Sequence, residues 1–275
     1  MKTLLVLTLA AACGAACART PATNPMPDGS RDLYIGLGAI SAPDFLGASE
    51  RRTSALPLIQ AQWSRGMFVS GLSAGWHLST RPNFEVGPLL ALDTGRDQGA
   101  PHGAAGISDQ SLVRVDTPES DLSGMWKVRA RLQAGVFVNQ YLTPSVRVTS
   151  SLLYGAGNER DGVILNLGIQ HVATDLWANH RVSVSAGANL VSRRHNAAFF
   201  GVTDEQARHS GHAPYAPRGG LRDVYVGAGW NWALSPGWMV VSAARLTRLR
   251  GDARNSPLVE RPNSFSVSTG LVYRF

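Results

Sequence analysis

Cysteine is almost missing from this sequence of 275 residues, with two in all, Cys13 and Cys17. Both fall in a segment that reads as an export leader. Lys2 gives the positive start, residues 4–12 the apolar run, and Ala16-Cys17-Ala18 the small-x-small motif for cleavage between Ala18 and Arg19. Removing those 18 residues from 275 leaves 257 without a thiol. The export route permits disulfides, but a disulfide scaffold and a thiolate metal site are both excluded. A lipoprotein leader acylated at Cys13 or Cys17 is the competing reading. The residues ahead of them, Ala10-Ala11-Ala12 and Gly14-Ala15-Ala16, lack the leucine that such leaders usually carry.

Long apolar runs are missing too. Beyond the leader no stretch has the roughly 18 uncharged apolar residues of a membrane helix, and the leader's own run is too short to span. Lysine is scarce: once Lys2 is gone, Lys127 is the one lysine among 25 basic residues (26 less one), set against 19 acidic ones. The arginines are scattered rather than striped, and an exported chain rarely meets nucleic acid, so no nucleic-acid partner is expected. Guanidinium forks do suit the phosphates of lipopolysaccharide.

What is present is alternation with a period of two. Val182, Val184, Ala186, Ala188 and Leu190 alternate with Ser183, Ser185, Gly187 and Asn189. Val163, Leu165, Leu167 and Ile169 do so with Ile164, Asn166, Gly168 and Gln170, and residues 128–136 and 264–275 repeat the pattern. In a soluble sandwich the apolar face meets a second sheet; in an outer-membrane barrel it meets lipid. Three features favour the barrel. The runs approach the 9–11 residues that cross a bilayer at the usual tilt. Trp63, Trp76, Trp126, Trp177, Trp230, Trp232 and Trp238 lie mostly near run ends, as an aromatic girdle requires. Tight turns at 142–145 and 234–237 alternate with a long polar loop at 193–220.

The expected fold is therefore all-β: an antiparallel up-and-down transmembrane barrel over 31–275, after a leader at 1–18 and a flexible segment at 19–30. Eleven runs stand out, near 31–41, 53–63, 67–77, 83–93, 125–138, 145–155, 162–173, 181–192, 221–233, 238–249 and 263–275. Termini on one side demand an even number. The expected count is twelve, within a range of ten to fourteen, with the missing strand sought in 94–123, around 107–115. Such a barrel is narrow and partly filled by side chains, loops or N-terminal residues.

A set of short motifs runs along the chain: Tyr34-Ile35-Gly36, then Gly47, Arg51, Arg52 and Pro57; Phe200-Gly201-Val202-Thr203, Ser210-Gly211, Tyr215 and Gly219-Gly220; and, at the close, residues 249–259 and Gly270-Leu271-Val272-Tyr273-Arg274-Phe275. In this order and spacing, and most strongly at 200–220, they resemble the MipA/OmpV family of MltA-interacting proteins. The resemblance implies an outer-membrane barrel and, from the founding member, a scaffold linking a murein transglycosylase to a murein synthase. Other members look like adhesins or barrels of unknown role. The family offers no agreed catalytic residues, so none is carried over.

The candidate sites are few. Leu271, Tyr273 and Phe275 share a face at the chain's end and read as the signal taken by the outer-membrane assembly machinery; an ordinary aromatic-tipped strand is the bland reading. His77 with Ser79, and His180 with Ser183, raise the question of a nucleophile–base pair, but no acid sits near to orient His77. His195, His209 and His212 share one loop with Asp204 and Glu205 without metal-site spacing, and solvated loop histidines are commoner. Thr203 ahead of Asp204-Glu205-Gln206 reads as a helix N-cap. No catalytic residue, metal or cofactor is expected. Arg129, Arg131, Arg147 and Arg245 are candidates for inward-facing charge, which in a pore favours anions. Two functions follow: a scaffold in contact with lipid, lipopolysaccharide and murein enzymes, or a small channel with an arginine-lined lumen. An open lumen favours the channel and a plugged one the scaffold.

Overall fold

The computed structural model describes residues 31–95, 122, 124–157, 159–173 and 177–275. Twelve strands form one closed antiparallel barrel. In chain order they are β1 (Arg31–Pro43), β2 (Arg51–Trp63), β3 (Met67–Ser70), β4 (Ser73–Trp76), β5 (Phe84–Asp93), β6 (Arg131–Tyr141), β7 (Val146–Ala156), β8 (Gly162–Ala173), β9 (His180–Val191), β10 (Gly220–Ala233), β11 (Trp238–Leu249) and β12 (Asn263–Arg274). Among the described residues three short helices, α1 (Arg193–Phe200), α2 (Asp204–Ser210) and α3 (Gly251–Arg254), lie in the long connections. Each strand pairs with its successor, and β12 returns to β1 in register from Tyr34↔Arg274 to Ser41↔Val267.

The alternation read from the sequence becomes an inverted pattern of burial. Outward positions carry large apolar side chains that nothing covers: Leu37 is 71% exposed and Leu132 65%. Inward positions carry buried polar groups, among them Glu85, Gln133, Thr149, Gln170, Asn189 and Asp223. A water-soluble fold reverses this arrangement, because a continuous apolar exterior associates in water. One arc of the interior is apolar: Ile40, Leu56, Leu58, Val241 and Val272 pack together from β1, β2, β11 and β12. Room for that cluster comes from the closing seam, where Gly38 faces Gly270. A Cβ on Gly270 would lie 2.4 Å from Leu58 Cδ1 and 2.7 Å from Gly38 Cα.

The count of twelve is reached differently from expectation. The run 67–77 is not one strand but two, joined by a two-residue turn with Gly71 at φ +57°, a conformation favouring glycine. β5 and β6 pair directly from Phe84↔Gln140 to Asp93↔Arg131, so the barrel wall has no strand between them. Residues 107–115 lie outside the described residues, as do 1–30 with both cysteines and the cleavage position Ala18–Arg19. The run expected from 125 begins six residues later, at Arg131. Met125 and Val128 are drawn off into the loop clusters described below.

The two ends of the barrel differ. At the end bearing the termini the links 64–66, 142–145 and 234–237 are tight. Trp230 and Trp232 stack on His180 there, at 5.7 and 5.5 Å, and Tyr273 meets Trp238 and Phe275 edge-on. The opposite end carries the long connections and all three helices.

Candidate functional site: a capped, charged lumen

At the loop end, 192–219 and 250–262 fold into a cap. Ser192 starts α1 by accepting from His195 N at 3.2 Å, and its Oγ also accepts from Val163 N on β8 at 3.0 Å, which pins the helix to the wall. Thr203 caps α2 as its sequence indicates, in a reciprocal box: Thr203 Oγ1 accepts from Gln206 N and Gln206 Oε1 from Thr203 N. A short antiparallel bridge, Val202↔Tyr215, follows. Ser256 donates to the Phe200 carbonyl, Tyr215 to the Asp252 carbonyl, and Asn196 to the Arg218 carbonyl. Burial and the nearby Asp252 carboxylate push the Tyr215 phenol above the usual tyrosine range, so it stays protonated and keeps donating. Ser49 hydrogen-bonds Glu260 and ties in the β1–β2 connection.

Two apolar clusters hold the cap. Phe199, Phe200, Leu249 and Ala253 pack with Val128 and Ala156, while Phe45, Met125, Val202 and Leu258 form the second. Each fully buried large side chain contributes about 1.5–3 kcal/mol, enough to make the cap a packed unit rather than a set of loose loops. Replacing Thr203 by Ala removes one half of the box and is expected to cost about 1 kcal/mol, local to α2. Amide exchange will quicken in α2 while strand amides are unchanged; an unchanged α2 rejects the capping role.

Below the cap lies a cavity of about 840 Å³. Two polar networks cross it. In the upper one Asp223, fully buried, accepts from Arg222 Nε at 2.6 Å and from Asn189 Nδ2 at 2.7 Å. Asn189 accepts in turn from Asn166, whose side chain meets the Tyr225 hydroxyl. Arg222 lies 3.0 Å from His195 Nε2, so the network reaches into the cap. Arg245 stacks over the Tyr225 ring at 3.6 Å. In the lower network Glu85 accepts from Tyr141 at 2.9 Å and Asn139 at 2.8 Å, with Arg147 at 3.7 Å and also donating to Gln170.

The arginines singled out from the sequence separate. Arg147 and Arg245 line the cavity, Arg131 opens β6 at the loop end, and Arg129 precedes that strand and is exposed. Because β6 starts at Arg131, strand parity does not set which way Arg129 faces. Arg181, Arg222, Asp223 and Glu85 were not singled out, although inward parity marks Arg181 and Glu85. Leu271, Tyr273 and Phe275 face outward at the termini end. Neither histidine–serine pair is assembled: His77 packs between Phe68 and Phe137, while Ser79 accepts from Arg81 N. His180 accepts from Trp230 Nε1. His209 bonds the Glu205 carbonyl and His195 turns to Arg222; among the described residues no three His, Cys, Asp or Glu side chains gather around a common point.

A closed barrel with an apolar exterior, a polar interior, tight turns at one end and long loops at the other defines an outer-membrane-type transmembrane β-barrel. The chain belongs to the family of the MltA-interacting protein MipA, whose pattern it matches over residues 35–275. It is similar to the outer membrane protein Omp26La of Vibrio anguillarum, 28% identical over 156 residues, which cover 57% of this chain and 59% of that one. It is also similar to the MltA-interacting protein of Escherichia coli (strain K12), 28% identical over 94 residues, 34% of this chain and 38% of the relative. The matched parts thus span well under two thirds of either relative. Among solved structures, an outer membrane channel from Pseudomonas putida F1 overlaps with a TM-score of 0.45 and 11% identity, over 92% of this chain and 98% of that one. OmpT of Vibrio cholerae overlaps at 0.34 and 8% identity, over 94% and 100%.

Proposed function

We propose that this barrel is a non-catalytic scaffold of the outer membrane that retains a murein transglycosylase, and through it a murein synthase, at its termini end. The observation that carries the reading is the cap. A pore needs a continuous aqueous path, and here α1, α2 and α3 with their apolar clusters cover the loop end. The interior arc of Ile40, Leu56, Leu58, Val241 and Val272 fills a further share of the cross-section. The relative's name, MltA-interacting protein, supplies the class of partner. Tagged full-length protein, cross-linked in its native membrane, is expected to bring down a lytic murein transglycosylase and to show no conductance steps in planar bilayers. Reproducible steps from folded protein with no transglycosylase in the eluate would sink the scaffold. They would favour the second reading, an anion-preferring channel, which the inward placement of Arg147 and Arg245 supports.

A further inference from the structure

At the loop end the outward face of the barrel changes character around its circumference. On β5 to β10 the last outward side chains are apolar or aromatic: Leu92 stands beside Leu132, Tyr154 beside Val163, and Leu190 beside Leu221. Across the closing seam polar groups take these positions. They are Arg51 and Thr53 on β2, Ser41 on β1, Asn263 on β12 and, paired with Asn263, Arg248 on β11. Below this shelf the outward row is apolar again, with Leu246, Phe265 and Val267 all exposed.

The height of the shelf follows from strand geometry. Trp238 belongs to the aromatic girdle of the termini end, and Arg248 lies ten residues from it along β11. Ten steps of about 3.3 Å on a strand tilted by roughly 40° rise about 25 Å, the thickness of the apolar band of such barrels. Arg248 therefore stands where hydrocarbon gives way to headgroups on the loop side. Arg51, twelve residues from Trp63 along β2, reaches that boundary as well. Its guanidinium is held against the wall. It donates to the Phe265 carbonyl at 2.5 Å and to the Ser41 carbonyl and hydroxyl at 3.2 and 3.3 Å, with Cζ 5.8 Å from the centre of the Phe265 ring. Three acceptors do not exhaust its five N–H groups. Both arginines are exposed, and among the described residues neither forms an ion pair. Glu50 and Glu260 belong to the loops beyond the strand ends, where Glu260 is bonded to Ser49. Two cations at the edge of the hydrocarbon are thus left to pair with anions of the leaflet.

We infer that this shelf is a docking site for lipid A, the glycolipid anchor of lipopolysaccharide, with its two phosphates on Arg51 and Arg248 and its acyl chains along Leu246, Phe265 and Val267. A guanidinium fork pairs two phosphate oxygens at once. Three strand spacings of about 4.8 Å, roughly 14 Å in all, separate β2 from β11, a width that a disaccharide with a phosphate at each end bridges and a single-phosphate lipid does not. Thr53, Ser41 and Asn263 stand between the two cations and offer hydroxyl and amide partners to the sugar. The site is on the lipid side of the wall and is independent of the scaffold reading. The test titrates folded full-length protein in detergent with lipid A and counts bound lipid by native mass spectrometry. Saturable binding is expected, weakened by about tenfold or more in Arg51→Gln/Arg248→Gln. It stays unchanged in Arg65→Gln/Arg81→Gln, which removes equal charge from the turns of the termini end. Lipid A stripped of both phosphates should bind the parent as weakly as lipid A binds the shelf variant. The heat-modifiable gel shift reports folding of each variant, and Arg248→Gln alone serves if the double variant does not fold. Absence of saturable binding, equal binding by the folded shelf variant, an equal loss in the termini-end variant, or full competition by phosphatidylglycerol overturns the assignment.

Discussion

Replacing residues 193–218 by a short glycine–serine turn will convert a silent barrel into a conducting one. The deletion takes away α1, α2 and the Val202↔Tyr215 bridge, and with them Phe199, Phe200 and Val202 from the two clusters that cover the loop end. Beneath them the cavity runs from the layer of Arg222 and Asp223 to that of Arg147 and Glu85, so the cap closes its loop end. β9 and β10 still pair along Val191↔Gly220 to His180↔Trp232, which keeps the wall intact. Planar-bilayer recording of the folded variant beside the parent is the measurement. Stable steps in the variant alone are expected, with a preference for anions set by the arginine excess. A variant that folds and remains silent shows that the lumen itself is closed and that the cap does not set permeability.

Asp223→Leu is expected to lower stability by about 3–5 kcal/mol, because it strands a buried guanidinium. Asp223 is fully buried and the Arg222 side chain is 12% exposed, so water does not compensate the loss. Asn189 loses its acceptor at the same time. Guanidinium unfolding in detergent, followed by tryptophan fluorescence, reads the shift in midpoint. The double variant Asp223→Leu/Arg222→Met should regain most of it, since apolar groups of similar volume replace a buried pair at little cost. A single variant within about 1 kcal/mol of the parent would mean that Arg222 finds another partner, with His195 at 3.0 Å the nearest.

Much of this was legible in the residues. Period-two alternation marked the walls, because a strand between lipid and lumen must carry opposite polarity on its two faces. Thr203 and Gln206 announced the start of α2 by their spacing alone. The hairpin at 67–76 was not legible as two strands: Phe68-Val69-Ser70 and Ser73-Ala74-Gly75 join into one apolar run, and the break rests on Gly71. α1 was missed although Ser192 was available as its cap, since the apolar residues of Arg193–Phe200 serve a cluster assembled from distant segments. The Arg222–Asp223 pair was hidden for a different reason. The register of β10 against β9 shifts between Leu221 and Asp223, which breaks the parity on which an inward assignment depends.

The seam between β1 and β12 gives the chain a particular order of manufacture. Arg274 and Asp32 meet across it at 2.6 Å although 242 positions separate them. Until the final dozen residues have left the ribosome and reached the membrane, the sheet has two raw edges, β1 and β11, each able to pair with any strand it meets. Contacts this distant along the sequence form late and slowly. A chain without β12 is therefore left as an open, adhesive sheet rather than a smaller cylinder, because β11 and β1 meet only through that strand.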